Sequence, residues 1–193
     1  MSRHEASLPA TYFDALYAEK ADPWHFATSD YEGAKYAATL AALPKPRYRS
    51  ALEVGCSIGV LTQQLAERCD RLLALDIAAL ALDQARERCA ALGQVTFEQR
   101  RLPAEWPEGR FGLILLSEVV YYLDQSDVQR LAEQASTSIA DGGDVVLVHW
   151  LGETHYPLTG DAAANLFIEE SVGRLKVRHQ ARTADYRLDV LSA

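Results

Sequence analysis

Positive charge is what this chain is short of. Its 193 residues carry 19 Lys and Arg against 27 Asp and Glu, a formal net charge of −8. Phosphate backbones are bound by basic surfaces, so nucleic acid is excluded as a main partner, while an amine-bearing ligand is compatible. Cysteine is scarce too. Cys56, Cys69 and Cys89 are widely spaced, with no C-x-x-C and no paired histidine. They supply neither a disulfide framework nor a zinc site, and fit reduced thiols in a cytoplasm. No apolar run approaches a membrane span, and Met1–Glu5 lacks the apolar core of a secretory leader. Internal repeats, linkers and low-complexity segments are missing as well. What is present is ordinary for a globular protein: 49% hydrophobic and 24% charged residues. The length fits one domain, residues 1–193, with a full α/β core.

The stretch that organises the chain is Leu52-Glu53-Val54-Gly55-Cys56-Ser57-Ile58-Gly59. Before it, Ser50–Val54 is short and largely apolar and reads as a buried strand. After it, Val60–Arg68 places apolar residues at helical spacing. The glycines between let the backbone turn sharply and approach a ligand without a Cβ in the way. Arg71–Leu75 reads as a second strand ending on Asp76, a carboxylate placed to accept the hydroxyls of a ribose. A dinucleotide fingerprint counted from Gly55 would need glycine at Ser57 and Val60, which disfavours a nicotinamide oxidoreductase. The pattern present, E-x-G-x-x-x-G, resembles motif I of class I S-adenosylmethionine (SAM) methyltransferases, with Ser57 where glycine is frequent. Tight glycine turns also serve packing alone; Asp76, one βαβ unit on, favours the ligand reading.

Residues 1–49 read as a helical cap on an α/β core spanning 50–193. Pro9–Tyr17 sets Tyr12, Phe13, Leu16 and Tyr17 on one helical face, and Asp22-Pro23-Trp24 ends it. Ser29 or Asp30 caps a second helix through Tyr31, Tyr36 and Leu40 up to Pro44. Trp24, Phe26, Tyr31 and Tyr36 either plug the sheet or form a lid over a flat or cationic ligand. Beyond residue 50, strands are expected at Val95–Glu98, Gly112–Leu116, Asp144–His149, Leu175–Arg178 and Tyr186–Leu191. Helices are expected at Ala78–Ala91, from an Asp127 cap through Ala135 to a stop before Asp141-Gly142-Gly143, and from Asp161. The alternation predicts an α/β, Rossmann-like class I methyltransferase fold. It has a seven-stranded, mostly parallel sheet, an antiparallel terminal strand and an N-terminal helical lid.

Six blocks go further: Asp22-Pro23-Trp24, Ser29-x-Tyr31-Glu32-x-x-Lys35-Tyr36, Leu52–Gly59, Glu105-Trp106-Pro107, Leu116-Ser117-Glu118-Val119-x-Tyr121-Tyr122-Leu123 and His149-Trp150-x-Gly152-x-Thr154. Together they are similar to nodulation protein S and its SAM-dependent methyltransferase relatives, from Asp22 to Leu191. The resemblance implies N-methylation of an amine on an amino sugar, a chitooligosaccharide-like glycan or a related small molecule, in a bacterial cytoplasm. SAM is the implied cofactor and S-adenosylhomocysteine (SAH) its product. An O-methyl acceptor and a non-catalytic SAM-binding module are the alternatives, and oligomeric state is not legible. Three positions depart from the family. Arg101 stands where an Asp usually takes the adenine amino group, leaving that contact to backbone or elsewhere. Gly112 follows Phe111 where Asp is usual, and Gly33 follows Glu32 where Arg is frequent.

Methyl transfer is an in-line displacement, helped mostly by alignment and exclusion of water. The resemblance assigns the cofactor to Trp24, Glu53, Gly55, Ser57, Gly59, Asp76, Ile77, Arg101, Leu102 and Ser117. Backbone N–H groups of the Gly55–Gly59 loop suit the methionyl carboxylate. Asp76 suits the ribose, with Ile77 and Leu102 on the two faces of the adenine. Glu118, Tyr122 and His149 follow the fourth and fifth strands, where ligands bind in open α/β sheets. Glu118 or His149 is the candidate proton acceptor for the amine, and Tyr122 the orienting residue. Each also has a purely structural reading: a capping Glu118, a core Tyr122, a hydrogen-bonded His149. The segment Gly152–Leu158, with Glu153 and the later Asp161, is expected to line the acceptor side.

Overall fold

A computed structural model describes residues 3–193; Met1 and Ser2, which open the stretch read as lacking a leader, lie outside it. β1 (Ala51–Val54) pairs in parallel with both β2 (Leu72–Asp76) and β4 (Phe111–Ser117). The sheet extends outward through β3 (Val95–Gln99) on one side and β5 (Ile139–Trp150), β7 (Tyr186–Ser192) and β6 (Lys176–Arg182) on the other. Its order is β3-β2-β1-β4-β5-β7-β6, with β7 antiparallel to both neighbours. This is the seven-stranded, mostly parallel sheet with an antiparallel terminal strand that the sequence predicts.

Alternation along the central strands sorts the core into two faces. Leu113 and Leu115 of β4 join Val146 and Val148 of β5 beneath Leu61 and Leu65 of α3 (Val60–Leu65). Ile114 and Leu116, with Val145 and Leu147, face Val128, Leu131 and Ala135 of α5 (Gln125–Ser138) and Phe167 of α6 (Gly160–Glu170). α4 (Ala79–Arg88) packs with the α3 side through Leu82, against Ala74 of β2. Helices therefore leave β1 and β4 on opposite faces, and a crevice opens between the carboxyl ends of those strands.

Several boundaries differ from expectation, β6 running on to Arg182 and α3 tightening after Leu65 among them, and two differ for clear physical reasons. α5 is capped by Asp124, whose side chain accepts from the Asp127 N–H, so the predicted cap is three residues into the helix. β5 begins at Ile139 instead of Asp144, because Asp141-Gly142-Gly143 is absorbed as an irregularity within the strand. Pairing with β4 jumps from Phe111–Ile139 to Leu113–Asp144, and Gly142 takes a left-handed φ of 67°. The cap consists of α1 (Ala10–Glu19) and α2 (Asp30–Ala41), the latter started by the Ser29 side chain. The Leu8 N–H donates to the Tyr122 carbonyl, and Ser7 bonds Asp124 and Asp127, so the N-terminal segment is tied across the crevice. Among the described residues no helix is long and apolar enough to cross a membrane, and no group of three His, Cys, Asp or Glu could hold a metal ion.

Two of the glycines test this packing in opposite directions. A Cβ on Gly59 would lie 2.9 Å from Ala85 Cα on α4, at a φ of +78°. Gly59→Ala is expected to cost about 2 kcal/mol or more in denaturant unfolding. Gly33, exposed inside α2 with nothing within 4 Å of its would-be Cβ, should gain about 0.5–1 kcal/mol on substitution by Ala.

Candidate functional site

The crevice is a cavity of about 570 Å3, roofed by α1, α2 and the segment joining them. At one end stands the loop after β1, where Gly55, Ser57 and Gly59 all take positive φ. The Gly55 and Cys56 N–H groups donate to the Leu75 carbonyl at 2.8 and 2.9 Å, and Gly59 N–H to the Cys56 carbonyl. Ser57 N–H donates to Asp76 Oδ2 at 2.8 Å. The row of N–H groups expected to face an anion is therefore largely spent on holding the loop itself. What the loop offers instead is the Ser57 hydroxyl, 2.5 Å from the Tyr17 hydroxyl of α1. Gly55 lines the cavity; Gly59 does not, and its role is the close approach to α4.

Asp76, at the tip of β2, also accepts from Ala78 N–H at 2.9 Å. Burial raises its carboxyl pKa, and those backbone donors pull it back. Each oxygen keeps a lone pair for a further donor. Glu53 sits beside it on β1, 1% exposed, and its Oε2 has no partner. Burial pushes its pKa up to about 7. Ile77, Arg101 and Leu102 line the same end. The Arg101 side chain is exposed and its N–H donates to Glu105 at 2.7 Å, so that backbone donor is not free for a base. Trp24 stacks on Phe26 at 5.5 Å and meets Tyr17 edge-on, closing this end from above.

The other end is built around Ser117 and Glu118, where β4 finishes. Glu118 holds a φ of +56°, and both its oxygens are engaged. Oε1 pairs with Lys35 at 2.5 Å; Oε2 accepts the Tyr121 hydroxyl at 2.6 Å and Trp150 N–H at 2.9 Å. Lys35 is 2% exposed, and its ammonium also reaches Glu32 Oε1 at 3.0 Å. Tyr122 packs edge-on to Phe13 and Tyr156 at 4.9 and 4.6 Å, and Glu153 and Thr154 complete the lining.

Two expected residues lie elsewhere. His149 is fully buried beneath the cavity, not in its wall: its Nε2 accepts Val120 N–H at 3.2 Å, and burial lowers its pKa to about 4. An imidazole there stays neutral and braces the turn after β4, which is the structural reading. Asp161 is bound by Arg182 and Arg187 at 2.6–3.1 Å, away from the cavity. In the other direction, Glu32, Lys35 and Tyr17 line the cavity and were not among the expected site residues. A signal existed in α2. Positions 32, 35, 36 and 39 form its buried face, and they are Glu, Lys, Tyr and Thr, too polar for a face that only packs.

A family model for nodulation protein S (NodS) matches residues 15–142, about two thirds of the chain. The chain belongs to the NodS family. Nodulation protein S of Rhizobium tropici is 31% identical over 127 residues, which are 65% of this chain and 53% of that protein. The chain spans about half the length of the curated NodS relatives it matches. A solved structure from Pseudomonas syringae, provisionally assigned as a methyltransferase, is 37% identical with a TM-score of 0.74, covering 84% of this chain and 99% of that one. The N-methyltransferase NodS of Bradyrhizobium japonicum WM9, solved with SAH, has a TM-score of 0.81 at 21% identity, covering 95% and 97%. That second likeness shows that this NodS-family chain has the class I methyltransferase fold.

The opposed shifts at Glu53 and His149 predict opposite pH slopes in stability. Folding raises the Glu53 pKa from 4.5 to about 7, so its contribution is complete below 4.5 and disappears as pH climbs to 7. Folding lowers the His149 pKa from 6.5 to about 4, so its contribution is complete above 6.5 and disappears as pH falls to 4. In denaturant unfolding from pH 4 to 8, Glu53→Gln should remove a fall in stability on the alkaline side, and His149→Gln one on the acid side. Each is of order 3 kcal/mol between plateaus.

Proposed function

We propose that the chain is a single methyltransferase domain, capped by residues 1–49, that transfers a methyl group from SAM to an amine. The amine belongs to an amino sugar, a chitooligosaccharide-like glycan or a related small molecule. The observation that carries this reading is one cavity with two chemically distinct ends. One end holds Glu53, Ser57 and Asp76; the other holds Glu32, Lys35, Glu118 and Glu153. Membership of the NodS family and the N-methyltransferase relative bound to SAH support it.

The residues present fit the cofactor. Glu53 Oε2, buried without a partner at the cavity wall, suits the methionyl ammonium, and the Tyr17–Ser57 hydroxyl pair suits the carboxylate. The free lone pairs of Asp76 suit the ribose hydroxyls, and Ile77, Leu102 and Trp24 supply flat apolar contact for the adenine. A side chain at Gly55 would fill the space between loop and Val119, since its Cβ would stand 3.3 Å from Val119 Cβ. When bound, SAM supplies a sulfonium-activated methyl whose leaving group is neutral and needs no acid. The protein orients the acceptor and excludes water, through Tyr122, Trp150 and Tyr156 on the far side and the α1–α2 roof above.

Calorimetry should show one SAM site per chain. Asp76→Ala should weaken that site by about tenfold or more, since it removes both the ribose acceptor and the anchor of the Ser57 N–H. Glu118→Ala should change SAM affinity several-fold less. Equal losses would contradict the division of the cavity into cofactor and acceptor ends, and no SAM binding would overturn the reading as a whole.

A further inference from the structure

The acceptor end contains an ammonium already, and how it is held says what else fits there. Lys35 Nζ lies between Glu32 Oε1 at 3.0 Å and Glu118 Oε1 at 2.5 Å, and 5.2 Å from the centre of the Tyr31 ring. Two carboxylates and an aromatic face are the surroundings in which proteins hold alkylammonium groups. The hydrogen-bond inventory of this cage is incomplete in one direction. Both Glu118 oxygens are engaged, by Lys35 on one side and by Tyr121 and Trp150 on the other. Glu32 accepts from Lys35 through Oε1, and the Tyr36 hydroxyl nearby also favours its charged form. Glu32 Oε2 is buried with no hydrogen-bond partner, although the residue is just 8% exposed and lines the cavity. The neighbouring Tyr31 hydroxyl is likewise buried and unpartnered. Buried polar atoms are normally paired, so an unpartnered carboxylate oxygen on a residue that lines the cavity marks a place for a further donor.

Charge selects the kind of donor. Two carboxylates, the buried Glu32 and the half-buried Glu118, face this end against the single cation of Lys35, with the exposed Glu153 at its rim. The surplus is negative. A neutral hydroxyl would satisfy the geometry of Glu32 Oε2 but leave that charge uncompensated at low dielectric; an ammonium satisfies both. Burial keeps the Glu32 pKa above the usual carboxylate range, opposed by Lys35, which accords with a carboxylate short of cationic partners.

We propose that Glu32, through its unpartnered Oε2, is the specificity-determining residue that docks the acceptor as an ammonium and takes its proton, so that the neutral amine attacks the methyl, with Lys35 holding the other Glu32 oxygen in place. This rests on the amine reading above and replaces Glu118 with Glu32 as the residue that meets the amine. Glu118 becomes the positioning residue that anchors Lys35.

The test compares binding of matched probes to the full chain by calorimetry, with and without SAH: ethanolamine against ethylene glycol, and glucosamine against glucose. Wild type should prefer at least one amine over its hydroxyl counterpart by about tenfold, and Glu32→Gln should abolish the preference while leaving SAH affinity unchanged. An amine preference that survives Glu32→Gln overturns the assignment to Glu32 but leaves the amine reading standing. No preference in wild type, with SAH still bound, overturns both and favours a hydroxyl acceptor. Wild type gives a readout that needs neither turnover nor Glu32→Gln to fold. At equal concentration, ethanolamine and glucosamine should raise its melting temperature more than ethylene glycol and glucose do. An equal or smaller rise counts against the cage as an ammonium site.

Discussion

The arrangement depends on one topological constraint, the parallel pairing of β1 with strands on both sides. Because β2 and β4 flank β1 in the same direction, their carboxyl ends come out together. Because the following helices lie on opposite faces, nothing fills the space between them. The glycine loop, Asp76 and Glu118 are all residues at strand ends, brought to one crevice by that pairing. The α1–α2 cap then turns an open crevice into a cavity.

Within that cavity the polar groups are arranged by which bonds are already made. Backbone N–H groups of the glycine loop are consumed by Leu75, Asp76 and Cys56, so the loop is rigid before any ligand arrives. Its remaining polar capacity is in side chains: Ser57 with Tyr17, the spare lone pairs of Asp76, and the unpartnered oxygen of Glu53. The far end follows the same logic. Glu118, fixed in a left-handed conformation by bonds to Tyr121 and Trp150, anchors Lys35, and Lys35 in turn fixes one oxygen of Glu32. The buried Lys35–Glu118 pair also joins the cap to the sheet, so the position of the cap and the geometry of the Glu32–Lys35–Glu118 cluster depend on the same contact.

Legibility divided along the same lines. Strands with near-continuous apolar runs and helices with clear caps were readable because burial and capping are local properties of sequence. Boundaries slipped where a tertiary contact overrode a local signal. The Asp141-Gly142-Gly143 turn was held inside β5 by pairing across to β4, and Asp124 out-competed Asp127 as the α5 cap. Motif residues at or just past strand ends come together: Glu53, Gly55, Ser57, Asp76 and Ser117 all line the cavity. His149 does not, because its position next to last in β5 points it under the turn after β4. Lys35 was visible as part of a motif, but its burial was not, since a lysine on a surface helix is ordinarily solvated.

By itself, the sequence determined the α/β alternation, the parallel sheet, the turn with two left-handed glycines at 55 and 59, and an acidic tip on β2. These follow from periodicity, from φ > 0 being open to glycine, and from strand length, all of which act within a few residues. The tertiary structure decided which of the polar residues are left with unused hydrogen-bonding capacity. That depends on partners far apart in the chain, such as Lys35 with Glu118 and Tyr17 with Ser57. Whether a buried carboxylate is satisfied is a property of the packed neighbourhood, and it is what separates Glu32 and Glu53 from Glu118.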